Sequence, residues 1–212
     1  MLRNIIILSA VAGIVASCSI EESTIFSTDF SGRTTTKVDM TAMIGFISSM
    51  DSSGSGKSKF YKEIQQGMDS VKNSKGNDLN LEMRFDTVTN SLSVSFVFAS
   101  LEDANDITRK LREKQQSTIS PEPPVLYRWE KKNKVLVMPG LEDLSKITGQ
   151  AGGSNPMLSG MTYTMVRTFP KKIVKVSDSR ITLSNDNKTM TFKSTADQLV
   201  SKPLKEVTVT FK

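Results

Sequence analysis

The side chains that most often carry catalysis are nearly absent: of 212 residues none is His and one is Cys. Without His, Ser-His-Asp and Cys-His machinery and His-ligated zinc are excluded. The single cysteine, Cys18, excludes an intramolecular disulfide and a cysteine cluster for a metal. The remaining patterns are weak. Gly54-Ser55-Gly56-Lys57-Ser58 has the Gly-Lys-Ser ending of a phosphate-binding loop, but Asp51 stands where the first Gly belongs, and Ala42 to Met50 before it reads as helix instead of strand. The segment reads as a flexible Ser/Gly connector. Asp178, Asp186 and Asp197, with Asn185 and Asn187, lack the spacing of a calcium loop and fit tight turns. Glu102-Asp103 and Glu142-Asp143 stand where helices start, and there they complement the helix dipole. Spacing selects no Ser/Lys dyad. The expectation is no catalytic residue and no metal site.

The chemistry that stands out is at Cys18. Arg3 is followed by the apolar run Ile5 to Val15, broken only by Ser9 and small residues. At 1.5 Å per residue such a run makes a helix of roughly 16 Å, about half the ~30 Å hydrocarbon core, which suits a secretory h-region and not a membrane span. Val15-Ala16-Ser17-Cys18 then resembles the lipobox of bacterial lipoproteins, an aliphatic residue and two small ones before the cysteine. The resemblance implies cleavage between Ser17 and Cys18, a diacylglycerol on the Cys18 sulfur and an acyl chain such as palmitate on the new amine. Several chains at ~0.8 kcal/mol per buried methylene give stable anchoring. Ser19 in the following position resembles lipoproteins sent to an outer membrane, and Glu21-Glu22 resembles the acidic export tag of surface lipoproteins in the Bacteroidetes. On this reading 1–17 is a cleaved signal, 18–25 a lipidated tether and 26–212 a single domain, with a sub-boundary near 117–124 at Pro121, Pro123 and Pro124.

Charge divides unevenly. Residues 1–120 carry 13 Lys+Arg against 14 Asp+Glu, whereas residues 121–212 carry 15 against 8. Within the basic half, Lys131, Lys132, Lys134 and Lys171, Lys172, Lys175 form two clusters suited to an anionic contact, either anionic lipid or an acidic envelope protein. Nucleic acid is not expected, because the chain is read as exported and shows no interleaving of aromatic and basic residues.

The elements that must position these residues follow from periodicity. Alternation from Phe26 to Met40 predicts a strand with a bulge or turn at Ser31-Gly32-Arg33; Met43, Ile47, Met50 and Phe60, Ile64, Met68, Val71 predict two helices. Leu79 to Phe85 and Leu92 to Phe98 predict a hairpin, and Ser100 caps a helix carrying Leu101, Ala104, Ile107 and Leu111. Further on, Val125 to Trp129 and Val135 to Met138 predict a hairpin around Lys131-Lys132-Asn133-Lys134, Leu141 to Ile147 a short helix, and 149–160 a loop. Strands are expected at 161–169, 173–176, 180–183, 189–193 and 205–211. The fold class is therefore α+β: an antiparallel sheet with two to three helices on one face and a β-rich C-terminal half. This order, with Phe30-Ser31-Gly32 and Phe169-Pro170-Lys171-Lys172-Ile173, resembles a group of uncharacterised Bacteroidetes lipoproteins, a resemblance that brings no catalytic residues.

Three functions compete. The first is a non-catalytic, membrane-anchored envelope lipoprotein that binds a partner or assists assembly, with no cofactor beyond the lipid on Cys18. The second is a carrier of a lipid or hydrophobic ligand lined by Met40, Met43, Met50, Met68, Met161 and Met165, residues that serve equally as core filling. The third is a hydrolase using carboxylates or Ser/Lys.

Overall fold

The computed structural model describes residues 19–51, 54–73, 81–115, 126–141 and 161–212. The signal segment with Ser17 and Cys18, the Pro121 to Pro124 boundary, Glu142-Asp143 and the 149–160 loop lie outside the described residues, as does all but the first residue of the helix expected at 141–147. The order is β1 (Ser19–Phe26), β2 (Gly32–Asp39), α1 (Thr41–Met50), α2 (Gly56–Asn73), β3 (Glu82–Asp86), β4 (Ser91–Phe98), α3 (Leu101–Gln115), β5 (Arg128–Glu130), β6 (Val135–Leu141), β7 (Thr162–Thr168), β8 (Ile173–Val176), β9 (Thr182–Leu183), β10 (Thr189–Thr195), α4 (Ala196–Ser201) and β11 (Leu204–Phe211). The α+β class holds, with strands dominant and mostly antiparallel.

The strands form two sheets. One has seven strands in the order β3-β4-β2-β1-β7-β10-β9, and the other four in the order β5-β6-β11-β8. Strand β1 lies at the junction of the larger sheet, antiparallel to β2 on one side and parallel to β7 on the other. The expected tether over 18–25 is thus replaced, from Ser19 on, by a central strand. Its inward positions Ile20, Glu22, Thr24 and Phe26 alternate as a strand requires, but two of the four are polar, so the hydrophobic signal is missing. What the sequence presents as one strand from Phe26 to Met40 is the end of β1, a turn at 27–31 and the strand β2, which pairs back on β1. Asp29 accepts from the Ser31 N–H at 3.0 Å and the Ser31 Oγ at 2.7 Å, and Phe30 takes φ 63° in the turn. Gly32 follows because Phe98 packs over it: a Cβ there would meet the Phe98 ring at 2.6 Å and the Ile25 carbonyl at 2.4 Å.

Local chemistry starts the helices. Asp39 Oδ1 accepts from the Thr41 N–H at 2.9 Å in a turn just ahead of α1, whose N-cap position is Met40; Ser100 Oγ accepts from the Asp103 N–H at 3.2 Å while Asp103 accepts from the Ala99 N–H at 2.8 Å at the head of α3. Thr195 and Gln198 form a full capping box for α4, an element the periodicity did not announce. Met43 and Ile44 of α1, Ile64 and Met68 of α2, and Leu101, Ala104 and Ile107 of α3 bury into one cluster with Met165, Met190, Phe192, Val207 and Val209 of the two sheets. Residues from both sides of the expected sub-boundary share this core. Where the sheets meet, Phe26 stacks on Phe169 at 5.0 Å, Phe169 meets Phe211 edge-on at 5.1 Å, and Trp129 lies 4.7 Å from Phe30. Each such pair adds about 0.5–1.5 kcal/mol beyond burial.

Candidate functional site

The register of β11 joins the two lysine clusters. Lys131, Lys132 and Lys134 occupy the tight turn between β5 and β6, where Lys134 adopts φ 51°. Lys171 and Lys172 lie between β7 and β8. The Phe211 N–H donates to the Lys134 carbonyl at 3.0 Å, and the Lys212 N–H donates to the Lys172 carbonyl at 3.1 Å. Clusters some forty residues apart in sequence are therefore stitched to the same strand end, with Lys212 between them. The Phe169 N–H reaches the Lys188 carbonyl at 2.9 Å and brings a further lysine to this end. Lys175 sits apart, along the edge strand β8 opposite Thr210. Sequence reading missed Lys188 and Lys212 because no run of basic residues marks them.

Lys131, Lys132, Lys134, Lys171, Lys172 and Lys212 are exposed, and none forms an ion pair with another described residue. Three acids share this end, each with its own local partner. Asp29 is held by Ser31 and Asp186 by the Ser184 hydroxyl at 2.5 Å and the Lys188 N–H at 3.0 Å, while Glu130 pairs with Arg128 at 3.3 Å. The Ser31 hydroxyl holds the Asp29 pKa below the usual carboxylate range, and the Ser184 hydroxyl does the same for Asp186. Carboxylates so engaged leave the ammonium groups open to an outside anion.

A second constellation lies inside the larger sheet. Arg167 of β7 is 1% exposed, and its Nη2 donates to Glu22 Oε1 of β1; Tyr163 Oη donates to Glu22 Oε2 at 3.2 Å. Arg167 Nη1 adds contacts to the Glu22 and Val166 carbonyls at 3.5 and 3.4 Å, while Nε finds no partner. Burial opposes the Arg167 charge, but Glu22, Tyr127 and Tyr163 together raise its pKa; burial also pushes the Tyr163 hydroxyl well up, aided by Glu22, and burial raises Tyr127. Beside it, Thr24 and Thr34 share a buried hydroxyl pair at 3.0 Å. This arrangement welds β1 to β7. It also occupies Glu22: of the pair Glu21-Glu22 only Glu21 faces outward, and the Glu22 carboxylate is committed to Arg167.

Asp178 and Arg180 form a smaller latch, with Arg180 Nη2 at 2.7 Å and Nε at 2.9 Å from the carboxylate and Nη1 at 2.8 Å from the Lys202 carbonyl. The Arg180 hydrogen bonds lower the Asp178 pKa to about 2. Asp178, Asp186 and Asp197 therefore stand in separate local structures, at this latch, a hairpin turn and the first turn of α4. Among the described residues no three Cys, Asp or Glu side chains converge as metal ligands. Gly54-Ser55-Gly56-Lys57-Ser58 crosses into the first turn of α2, with Gly56 N–H bonded to Asp51 and Lys57 set 5.4 Å over the Tyr61 ring. Met40, Met138, Met165 and Met190 have no exposed surface and belong to the common core, Met43, Met68 and Met161 are buried with them, and Met50 is exposed.

The fold is thus an α+β domain of two sheets around one core, carrying a basic end. The NMR structure of the folded domain of the Mycobacterium tuberculosis protein LppM is similar with a TM-score of 0.46 and 10% identity, over 93% of this chain and 92% of that one. No family model and no curated protein matches the sequence, so the resemblance to Bacteroidetes lipoproteins finds no counterpart there.

Proposed function

We propose that the protein is an envelope lipoprotein, anchored by acyl chains on Cys18, that acts as a non-catalytic binding or assembly module. The observation that carries this reading is Val15-Ala16-Ser17-Cys18 behind a short apolar run, with the only cysteine of the chain at the position lipidation requires. Among the described residues no helix is long and apolar enough to cross a membrane. The anchoring bilayer is taken as the outer membrane from Ser19. Support for a binding role comes from the lysines gathered at the β11 end, whose free charges suit an anionic partner, lipid or protein. Support for a non-catalytic role comes from the absence of His and from carboxylates that hold turns, helix starts and a buried arginine.

Fractionation of cells carrying Cys18→Ser tests the reading. The variant is expected to fold and to move from the membrane to the soluble fraction almost completely. Retention of Cys18→Ser in membranes would overturn the anchor.

A further inference from the structure

Seven large apolar side chains are exposed among the described residues, and four of them, Phe46 at 55%, Met50 at 72%, Val88 at 89% and Val200 at 44%, stand on elements gathered at the Ser19 end of β1. Val88 is in the β3–β4 turn, next to the paired residues Asp86 and Ser91 and, through Ser91, Asp39. Helix α1 is tied to the same turn: the Met40 N–H donates to the Asn90 carbonyl at 2.9 Å, and Tyr61 of α2, one turn past the α1–α2 loop, donates to Asn90 Oδ1 at 2.5 Å. Helix α4 starts beside Thr195, which pairs with Thr162, itself the partner of Ser19. The other three, Ile25, Val97 and Val174, are separate from this group; Ile25 and Val97 flank Arg33 on the outer face of the sheet.

Helix α1, Thr-Ala-Met-Ile-Gly-Phe-Ile-Ser-Ser-Met, contains no charged residue. It buries Met43 and Ile44 and leaves Phe46 and Met50, one turn apart, exposed beside them, while Thr41, Gly45, Ser48 and Ser49 form the far side. Two large apolar side chains left exposed one turn apart suit an apolar environment. The chain says which one. Strand β1 starts at Ser19, the residue that directly follows Cys18 in the sequence, so a lipid on Cys18 would join the domain at this end.

We infer that the Ser19 end of the domain rests in the bilayer interface, with Phe46, Met50 and Val88 inserted beside the acyl chains of Cys18, an inference that rests on the lipidation reading. Interfacial helices sink about 5–10 Å into the headgroup boundary, a depth such side chains reach while the turn backbone stays among polar groups. The lysine end then points away. Seven strand steps of about 3.3 Å separate Ser19 from Phe26, roughly 23 Å and several Debye lengths of ~8 Å at physiological salt. The basic end is thereby presented to a partner and not to the anchoring bilayer.

The test uses the full lipidated chain with a second cysteine carrying an environment-sensitive fluorophore, in vesicles of phosphatidylethanolamine and phosphatidylglycerol containing spin-labelled lipid. Phe46→Cys and Val88→Cys are expected to lose on the order of half their emission to the quencher, and Asn133→Cys in the lysine turn almost none. Emission unquenched at both 46 and 88, or equal quenching at 133, overturns the inference. The intact mass of the same samples separates the two failures: acylated protein with unquenched 46 and 88 refutes the contact alone, whereas an unacylated Cys18 refutes the anchor on which it rests.

Discussion

The two ends of β1 are built on opposite principles. At Ser19 the chain gathers a helix without charge, the exposed Val88 turn and α4; at Phe26 the aromatic rings of Phe26, Phe30, Trp129, Phe169 and Phe211 turn inward and lysines turn outward. Exposed Phe46, Met50 and Val88 mark the first end, and exposed lysines mark the second. On the proposed reading one strand, about 23 Å long, separates the anchoring end from the charged one. Between them Glu22 and Arg167 fix β1 to the C-terminal half of the sheet.

The largest way to break this contrast is at that weld. Glu22→Ala leaves the 1% exposed Arg167 guanidinium without its carboxylate, and denaturant unfolding should show a loss of about 3–5 kcal/mol. Glu22→Met combined with Arg167→Met should recover much of it, because paired removal leaves no buried orphan charge. A loss below about 1 kcal/mol in the single variant would mean that β1 is held by its backbone ladders alone.

A smaller effect comes from acid. The Asp178 pKa is lowered to about 2 by the Arg180 hydrogen bonds, so its folded value lies below its unfolded one. The latch stabilises fully above about pH 4 and is lost as pH falls through about 2, and solvent screening holds its worth to about 1 kcal/mol. Asp178→Asn should remove this part of the acid dependence, read from unfolding midpoints between pH 5 and 2, and leave both ends of β1 in place.

The smallest effect on stability belongs to the basic end. Lys132→Gln with Lys171→Gln and Lys172→Gln should change unfolding by less than about 0.5 kcal/mol, since these side chains are exposed and have no ion-pair partner among the described residues. Capture of an anionic partner from detergent-solubilised envelopes should fall, whereas the same exchange at Lys59 and Lys62 of α2 should leave it unchanged. Equal loss in both variants would reduce the basic end to net charge.

Much of this was legible in the residues. The alternation of Leu92 to Phe98 and the helical spacing of Leu101, Ala104 and Ile107 pointed to β4 and α3 because their inward positions are all apolar. Strand β1 was not legible, since Glu22 and Thr24 take inward positions and are satisfied by Arg167 and Thr34, partners distant in sequence. The capping box of α4 is present in Thr195 and Gln198, but a six-residue helix is too short for periodicity to show. Each lysine cluster was visible alone; their meeting depends on the register of β11, which no local pattern encodes.

Cys18 is the central residue, and the most direct measurement is the intact mass of the protein extracted from the membranes of its own cells. A chain starting at Cys18, lacking residues 1–17 and heavier by a thioether-linked diacylglycerol, is the predicted result. A membrane-bound chain with residues 1–17 retained, or with an unmodified Cys18, would contradict it.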